Sequence, residues 1–195
     1  MNLLCIAGFL GSGKTTVLIE VARDMVAGGL QLAVIENEIG EVGIDGDYVR
    51  EHGLAVQELF GGCICCTLQS GLVETLRAVE ARYEPDWVVL EPTGLAAPGD
   101  IIALVEEHLP HIETTHVLTL VDAGRWEILL EVVEPLVTAQ LAAADVVAVN
   151  KTDELDDGAL AAVMDSVLRL VGGTPVFPVS AATGAGMKHL LRAVL

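Results

Sequence analysis

The chain is poor in positive charge. Ten Lys and Arg stand against 28 Asp and Glu, a formal charge of -18, and only three of the ten are lysines. That balance excludes nucleic acid as a partner, because its phosphates are repelled by the field of the whole surface, and it favours cations and basic surfaces. Long hydrophobic runs are missing as well. Apolar residues make up 52% of the 195, but in short stretches, whereas a bilayer span needs roughly 20 in a row. They read as buried strands, with no membrane contact. No basic segment or cleavage site precedes the first apolar run, Leu3 to Ala7, so it reads as strand rather than signal peptide and the protein as cytoplasmic. Repeats, low-complexity tracts and Pro/Ser-rich linkers are absent, which predicts one domain over 1–195. A chain of this length buries roughly 70% of its unfolded surface and folds without disulfides or metal. Of only four cysteines, three are clustered, which favours metal or redox chemistry over a disulfide framework. The five histidines, His52, His108, His111, His116 and His189, lack mutual ligand spacing.

What is present is an alternation of apolar runs with helical periodicity, the pattern of an α/β fold with a mostly parallel central sheet and helices on both faces. Strands are expected at Leu3 to Ala7, Leu32 to Glu36, Ala55 to Glu58, Trp87 to Glu91, His116 to Val121, Val146 to Asn150 and Val176 to Val179. Helices are expected at about 14–27, 67–83, 98–108, 123–141, 154–171 and 186–194, with Pro135 kinking or splitting the fourth. The stretch from Asn37 to His52, with Gly40, Gly43, Gly46 and five acidic residues, lacks clear periodicity and is a candidate switch loop.

Gly8-Phe9-Leu10-Gly11-Ser12-Gly13-Lys14-Thr15 matches the phosphate-loop pattern G-x-x-x-x-G-K-[ST], after an apolar strand and before a helix. Its glycines turn backbone N–H groups toward phosphate and the helix adds its dipole. Lys14 reaches the β- and γ-phosphates, and the Thr15 hydroxyl suits Mg²⁺. A glycine-rich turn without chemistry is the bland alternative. Asn150-Lys151-Thr152-Asp153 closes a later strand. The Asp153 carboxylate accepts from the N1–H and the 2-amino group of guanine, a donor pair that adenine lacks. Asn150 meets the purine edge and the Lys151 stem covers the ring. Asp153 is equally a reasonable N-cap for the next helix. Ser180-Ala181, after the last strand, offers a backbone N–H to guanine O6. Glu91-Pro92-Thr93-Gly94 places an acid for Mg²⁺ or its water, and a glycine that senses γ-phosphate, at another strand end. Its bland reading is a turn with an exposed Glu.

Cys63, Cys65 and Cys66 supply three soft thiolates, enough for Zn²⁺, Co²⁺ or a similar ion with a fourth position left for water, Glu38, Glu41, His52 or a partner's ligand. Open coordination suits transfer. Small buried hydrophobes, or a redox pair of Cys63 with Cys66, remain open alternatives. Cys5, alone on the first strand, reads as core.

Together these motifs resemble the CobW-like branch of the metal-chaperone GTPases, relatives of the HypB and UreG nickel-insertion proteins. The likeness runs through Gly8 to Thr16, Glu36 to Asp45, Gly61-Gly62-Cys63-Ile64-Cys65-Cys66, Glu91 to Gly94 and Asn150 to Asp153, five motifs in family order. It implies slow hydrolysis of GTP to GDP coupled to loading or delivery of a transition metal to a client metalloenzyme or its assembly factor. It also implies the cysteine motif as metal site, Glu38 to Asp45 as switch with Glu38 in a catalytic role beside Lys14 and Glu91, and homodimerisation as an option. The family pattern carries a second, C-terminal domain and often a His-rich stretch, whereas 1–195 is expected to hold the GTPase core alone. A metal- or redox-sensing switch that binds a partner enzyme without passing cargo is the competing reading. A small-molecule kinase is disfavoured by the guanine motif.

Overall fold

A computed structural model describes residues 1–36 and 68–195, with side chains from residue 71 onward in the second stretch. The expected strand Ala55 to Glu58, the switch segment from Glu38 to Asp45, and Cys63, Cys65 and Cys66 lie outside the described residues.

Among the described residues six strands form one sheet: β1 (Asn2–Gly8), β2 (Leu32–Glu36), β3 (Trp87–Glu91), β4 (Thr115–Asp122), β5 (Val146–Asn150) and β6 (Val176–Pro178). All five pairings are parallel, in the order β2-β3-β1-β4-β5-β6. Parallel strands buried on both faces need side chains that tolerate burial at every position rather than at alternate ones. In β1, Leu3 to Ala7 are all at most 1% exposed. Leu4 and Ile6 face α1 (Lys14–Ala27) and α6 (Met187–Val194). Leu3 faces the opposite layer of α2 (Leu68–Tyr83) and α3 (Pro98–His108). Farther along that same layer, α4 (Trp126–Ala142) and α5 (Asp157–Val171) cover Val147 and Val149 of β5. A membrane helix is excluded among the described residues, none of whose helices is long and apolar enough to span a bilayer.

Two helix starts differ from the expected ones for local reasons. The helix expected from 123 opens with a 3-10 turn, Ala123–Arg125, because the Asp122 side chain accepts from the Arg125 N–H and tightens the first turn. The helix expected from 154 starts at Asp157, where Asp156 takes the cap role by accepting from Ala159 N–H at 2.8 Å. Asp153 is therefore not the cap and stays exposed in the short turn Thr152–Glu154. Pro135 breaks α4 as expected, the distortion falling two residues earlier at Val133 (φ -132°, ψ 33°). Proline restricts the backbone before it and removes a donor from the preceding turn.

Candidate functional site

Strand order reverses its direction of growth at β1, since β2 lies on one side of it and β4 to β6 on the other. In open parallel sheets the crevice beyond the carboxyl ends at such a point is where ligands bind. The carboxyl ends here carry Gly8, Glu91, Asp122 and Asn150. Register places Gly8 beside Leu120, Glu36 beside Glu91, and Asp122 beside Asn150, so the polar strand ends stand in one row.

The loop from β1 to α1 leaves the helix start open. Gly13 occupies the cap position with φ 91°, no side chain caps the helix, and no acid falls in its first turn. Backbone N–H groups at the positive end of a helix form an anion site. Ser12 is fully buried and its Oγ has no hydrogen-bond partner among the described residues. A buried hydroxyl left over in a phosphate-type loop fits an oxyanion guest better than an apolar one. Lys14 is 6% exposed, with Nζ 3.5 Å from Phe9 O and 4.0 Å from Glu91 Oε1. Thr15 Oγ1 lies 3.1 Å from both Glu91 oxygens, and Glu91 is 4% exposed. A hydroxyl and a carboxylate at this spacing are the hard oxygen donors that Mg²⁺ prefers, so the residues present fit that ion. Thr16, the next residue of the first turn, is exposed.

Gly94 packs against the same loop. A Cβ there would stand 2.5 Å from Leu10 N and 2.9 Å from Leu10 Cα, so only glycine lets the loop after Glu91 lie on the phosphate loop. Gln140 of α4 fixes this segment, its Nε2 donating to Gly94 O at 3.2 Å and to Ala96 O at 3.0 Å.

Asn150 joins the phosphate loop to the base loop. It is 2% exposed; its Nδ2 donates to Ser12 O at 2.8 Å and its Oδ1 accepts from Ala181 N–H at 3.0 Å. Both Ser180 and Ala181 N–H groups are thus engaged, the former on Ala185 O at 2.9 Å, and a guanine O6 would share the Ala181 N–H with Asn150. Ser180 shapes this loop through its buried hydroxyl, which accepts from Thr183 N–H at 3.1 Å. A Cβ on Gly13 would collide with Asn150 Nδ2, which locks that position to glycine for a second reason besides its φ. Lys151 holds a left-handed backbone (φ 65°, ψ 35°) that turns the chain sharply out of β5.

Lys14, Thr15, Glu91, Gly94, Asn150, Lys151, Asp153 and Ala181 therefore stand at one end of the sheet. Two further residues, Asp122 and Arg125, were missed. Asp122 is 1% exposed; its Oδ2 lies 2.8 Å from Lys151 Nζ and 3.0 Å from Arg125 Nε. Arg125 Nη2 in turn donates to Leu10 O of the phosphate loop. The signal was present: an acid closing an apolar strand, with a cation three residues on, in a chain poor in cations. Cys5 is fully buried and burial pushes its thiol up to about 12, as suits a core residue with no chemical role.

The profile of the family described as CobW/HypB/UreG, nucleotide-binding domain, matches residues 2–178. The zinc chaperone CobW of Sinorhizobium sp is 34% identical over 192 residues, covering 83% of this chain and 54% of the relative. The zinc chaperone YeiR of Escherichia coli is 37% identical over 157 residues, covering 76% and 45%. Among solved structures, the Zn(II)-bound YjiA GTPase from E. coli superposes with a TM-score of 0.62 at 27% identity, over 92% of this chain and 57% of the other. The chain spans about half the length of the curated relatives it matches.

Proposed function

From the premise that the chain belongs to the CobW/HypB/UreG family, we propose that it binds GTP, hydrolyses it to GDP, and couples that cycle to binding and delivery of a transition metal, with Zn²⁺ as cargo. The arrangement of Asn150 carries the nucleotide half. One buried amide spans the carbonyl of Ser12 and the N–H of Ala181, so the phosphate loop and the base loop are set against each other before any ligand arrives. Preorganisation of this kind lowers the cost of binding.

Each residue then has a defined task. The open start of α1, with the N–H groups after Gly13, holds the phosphates. Lys14 brings a buried positive charge to the β- and γ-phosphates, where charge shifts as the terminal phosphoryl group departs. Thr15 and Glu91 would hold Mg²⁺, which when bound neutralises phosphate charge. Gly94 lets the Glu91 loop lie against Leu10, so that a γ-phosphate at the phosphate loop meets that backbone directly. Asp153, exposed and free of capping duty, is available to the N1–H and 2-amino group of guanine.

The metal half rests on the named relatives and on Cys63, Cys65 and Cys66 of the sequence. Relatives described as zinc chaperones favour cargo transfer over sensing alone. Titrating Zn²⁺ into apo-protein with GDP, and again with a non-hydrolysable GTP analogue, tests the coupling, because the two ligands must alter each other's affinity by one common factor. A change of about 5-fold or more is expected. Equal Zn²⁺ affinities in both states, or unchanged binding after all three cysteines become Ser, defeat the metal half and leave a GTPase. Failure of labelled Zn²⁺ to leave the protein for an apo-metalloenzyme would favour a sensor over a chaperone.

A further inference from the structure

We propose that Asp122 is a positioning residue that ties guanine recognition to the phosphate loop, and that Arg125 is the arm through which it acts. The inference rests on the GTP-binding reading above.

Asp122 ends β4 beside Asn150, and its carboxylate holds two cations. Its Oδ2 takes Lys151 Nζ at 2.8 Å and Arg125 Nε at 3.0 Å, while Oδ1 takes the Arg125 N–H at 3.2 Å. The carboxylate is 1% exposed, whereas the Lys151 and Arg125 side chains are 30% and 44% exposed. A buried anion with two half-exposed cations fixes where those cations stand without consuming them. Two cations share this one buried carboxylate, on a chain whose overall charge is -18.

The two cations point to the two halves of the site. Lys151 belongs to the base loop, and its left-handed backbone fixes the direction in which its stem leaves the strand. Arg125 reaches the phosphate loop. Its Nη2 donates to Leu10 O, and the guanidinium carbon and both terminal nitrogens stand 3.1–3.7 Å from where a Cβ on Gly11 would be. The guanidinium thus lies across the rim of the loop that wraps the phosphates. A guanidinium has five donors in a rigid fork, and the contacts described use two of them. Asp122 is then the one group whose removal would loosen the cover over the base and the cation over the phosphate rim together. Asn150 ties the same halves by neutral hydrogen bonds, and Asp122 does so by charge.

Affinity for GDP measured by fluorescence of a labelled nucleotide, alongside melting of the apo-protein, tests this. Asp122→Asn should weaken GDP binding about tenfold or more, the worth of one charge-assisted hydrogen bond. Arg125→Ala, a change at a half-exposed side chain that does not threaten the fold, should weaken it by a smaller factor. The Lys151→Ala and Arg125→Ala effects should be non-multiplicative when Asp122 is present, and should multiply to within about twofold in the Asp122→Asn background. An Asp122→Asn protein that melts lower but binds GDP within twofold of the parent would show a structural role only and overturn the inference. So would multiplicative effects of the two cation variants in the parent. If the parent itself binds no guanine nucleotide, the GTP reading fails, and this inference with it; if the parent binds and the cycle shows no coupling, this inference alone fails.

Discussion

The two ends of the sheet share strands, register and neighbours, and differ in what they bury. At the carboxyl ends, Ser12, Lys14, Glu91, Asp122, Asn150 and Ser180 are all buried polar groups; Lys14, Glu91, Asp122 and Asn150 meet partners from other segments, and Ser180 accepts from Thr183 within its own loop. At the amino ends, the charged side chains are on the surface. Asp86 and Glu113 tie Gln31 N–H and the Met1 amine, and His111 pairs with Glu80 at 2.7 Å with both half-exposed. Buried polar groups cost free energy unless they are satisfied, and surface pairs add little. A fold that needs only stability has no reason to bury polar groups at one end of every central strand. Their asymmetry sets the carboxyl end apart without any motif.

Replacing Lys14 should separate the ends most sharply. With Lys14→Ala, GTP turnover is expected to fall by about a hundredfold or more, on the scale of losing one preorganised charge at the reacting group. Steady-state phosphate release at saturating GTP measures it, and a rate within threefold of the parent would remove this end of the sheet from catalysis. Next comes the base. Asp153→Asn should lose GTP affinity by about a hundredfold and gain xanthosine triphosphate, because the new amide presents N–H where guanine also donates and xanthine accepts. Competition binding of the two nucleotides decides it; unchanged preference for GTP sinks the base assignment.

Gly13→Ala acts on fold and site together. A left-handed alanine costs about 1–2 kcal/mol and its methyl displaces the Asn150 amide, adding about 1 kcal/mol for the lost hydrogen bond. Denaturant unfolding of the apo-protein should show the sum, and a loss below 1 kcal/mol would mean that the Asn150 bridge is slack. Midway between the ends, Cys5 gives a pH-dependent term. Its thiol is held near 12 in the fold against 9.0 for an unperturbed thiol, so the folded state keeps a proton that the unfolded chain releases. Its contribution is complete below pH 9 and is lost as pH rises toward 12, at about 1.4 kcal/mol per unit. The difference between parent and Cys5→Ala in unfolding free energy should therefore shrink with rising pH over that window; a constant difference would contradict the shift. Smallest of all, His111→Ala should change stability by less than about 0.5 kcal/mol and leave GTP binding untouched. A tenfold loss of GTP affinity from that variant would break the contrast between the ends.

Much of this was legible in the chain. Strands β2, β3 and β5 begin and end where their apolar runs do, and α1 and α3 fill their expected spans, because a strand buried on both faces and a helix bounded by Gly or Pro leave little freedom. The phosphate loop, Glu91-Pro92-Thr93-Gly94 and Asn150-Lys151-Thr152-Asp153 stand together as their spacing implies. What escaped is what depends on two elements meeting. Asp122 and Arg125 matter through Lys151 and Leu10, each far off in sequence, and no local pattern records that meeting. Asp156 displaced Asp153 as a cap because both are good caps and the turn Thr152–Glu154 chose between them.

The order of the strands has a consequence in time. β1 sits mid-sheet, and Leu3 pairs with Val88 on one side and Thr115 on the other. β1 thus cannot find a neighbour until β3, which closes at Glu91, has been made, at about 5–20 residues per second. Through those seconds Leu3 to Ala7, buried at every position in the finished fold, has no sheet to enter, so exposure of this apolar strand is the hazard that the topology builds into synthesis.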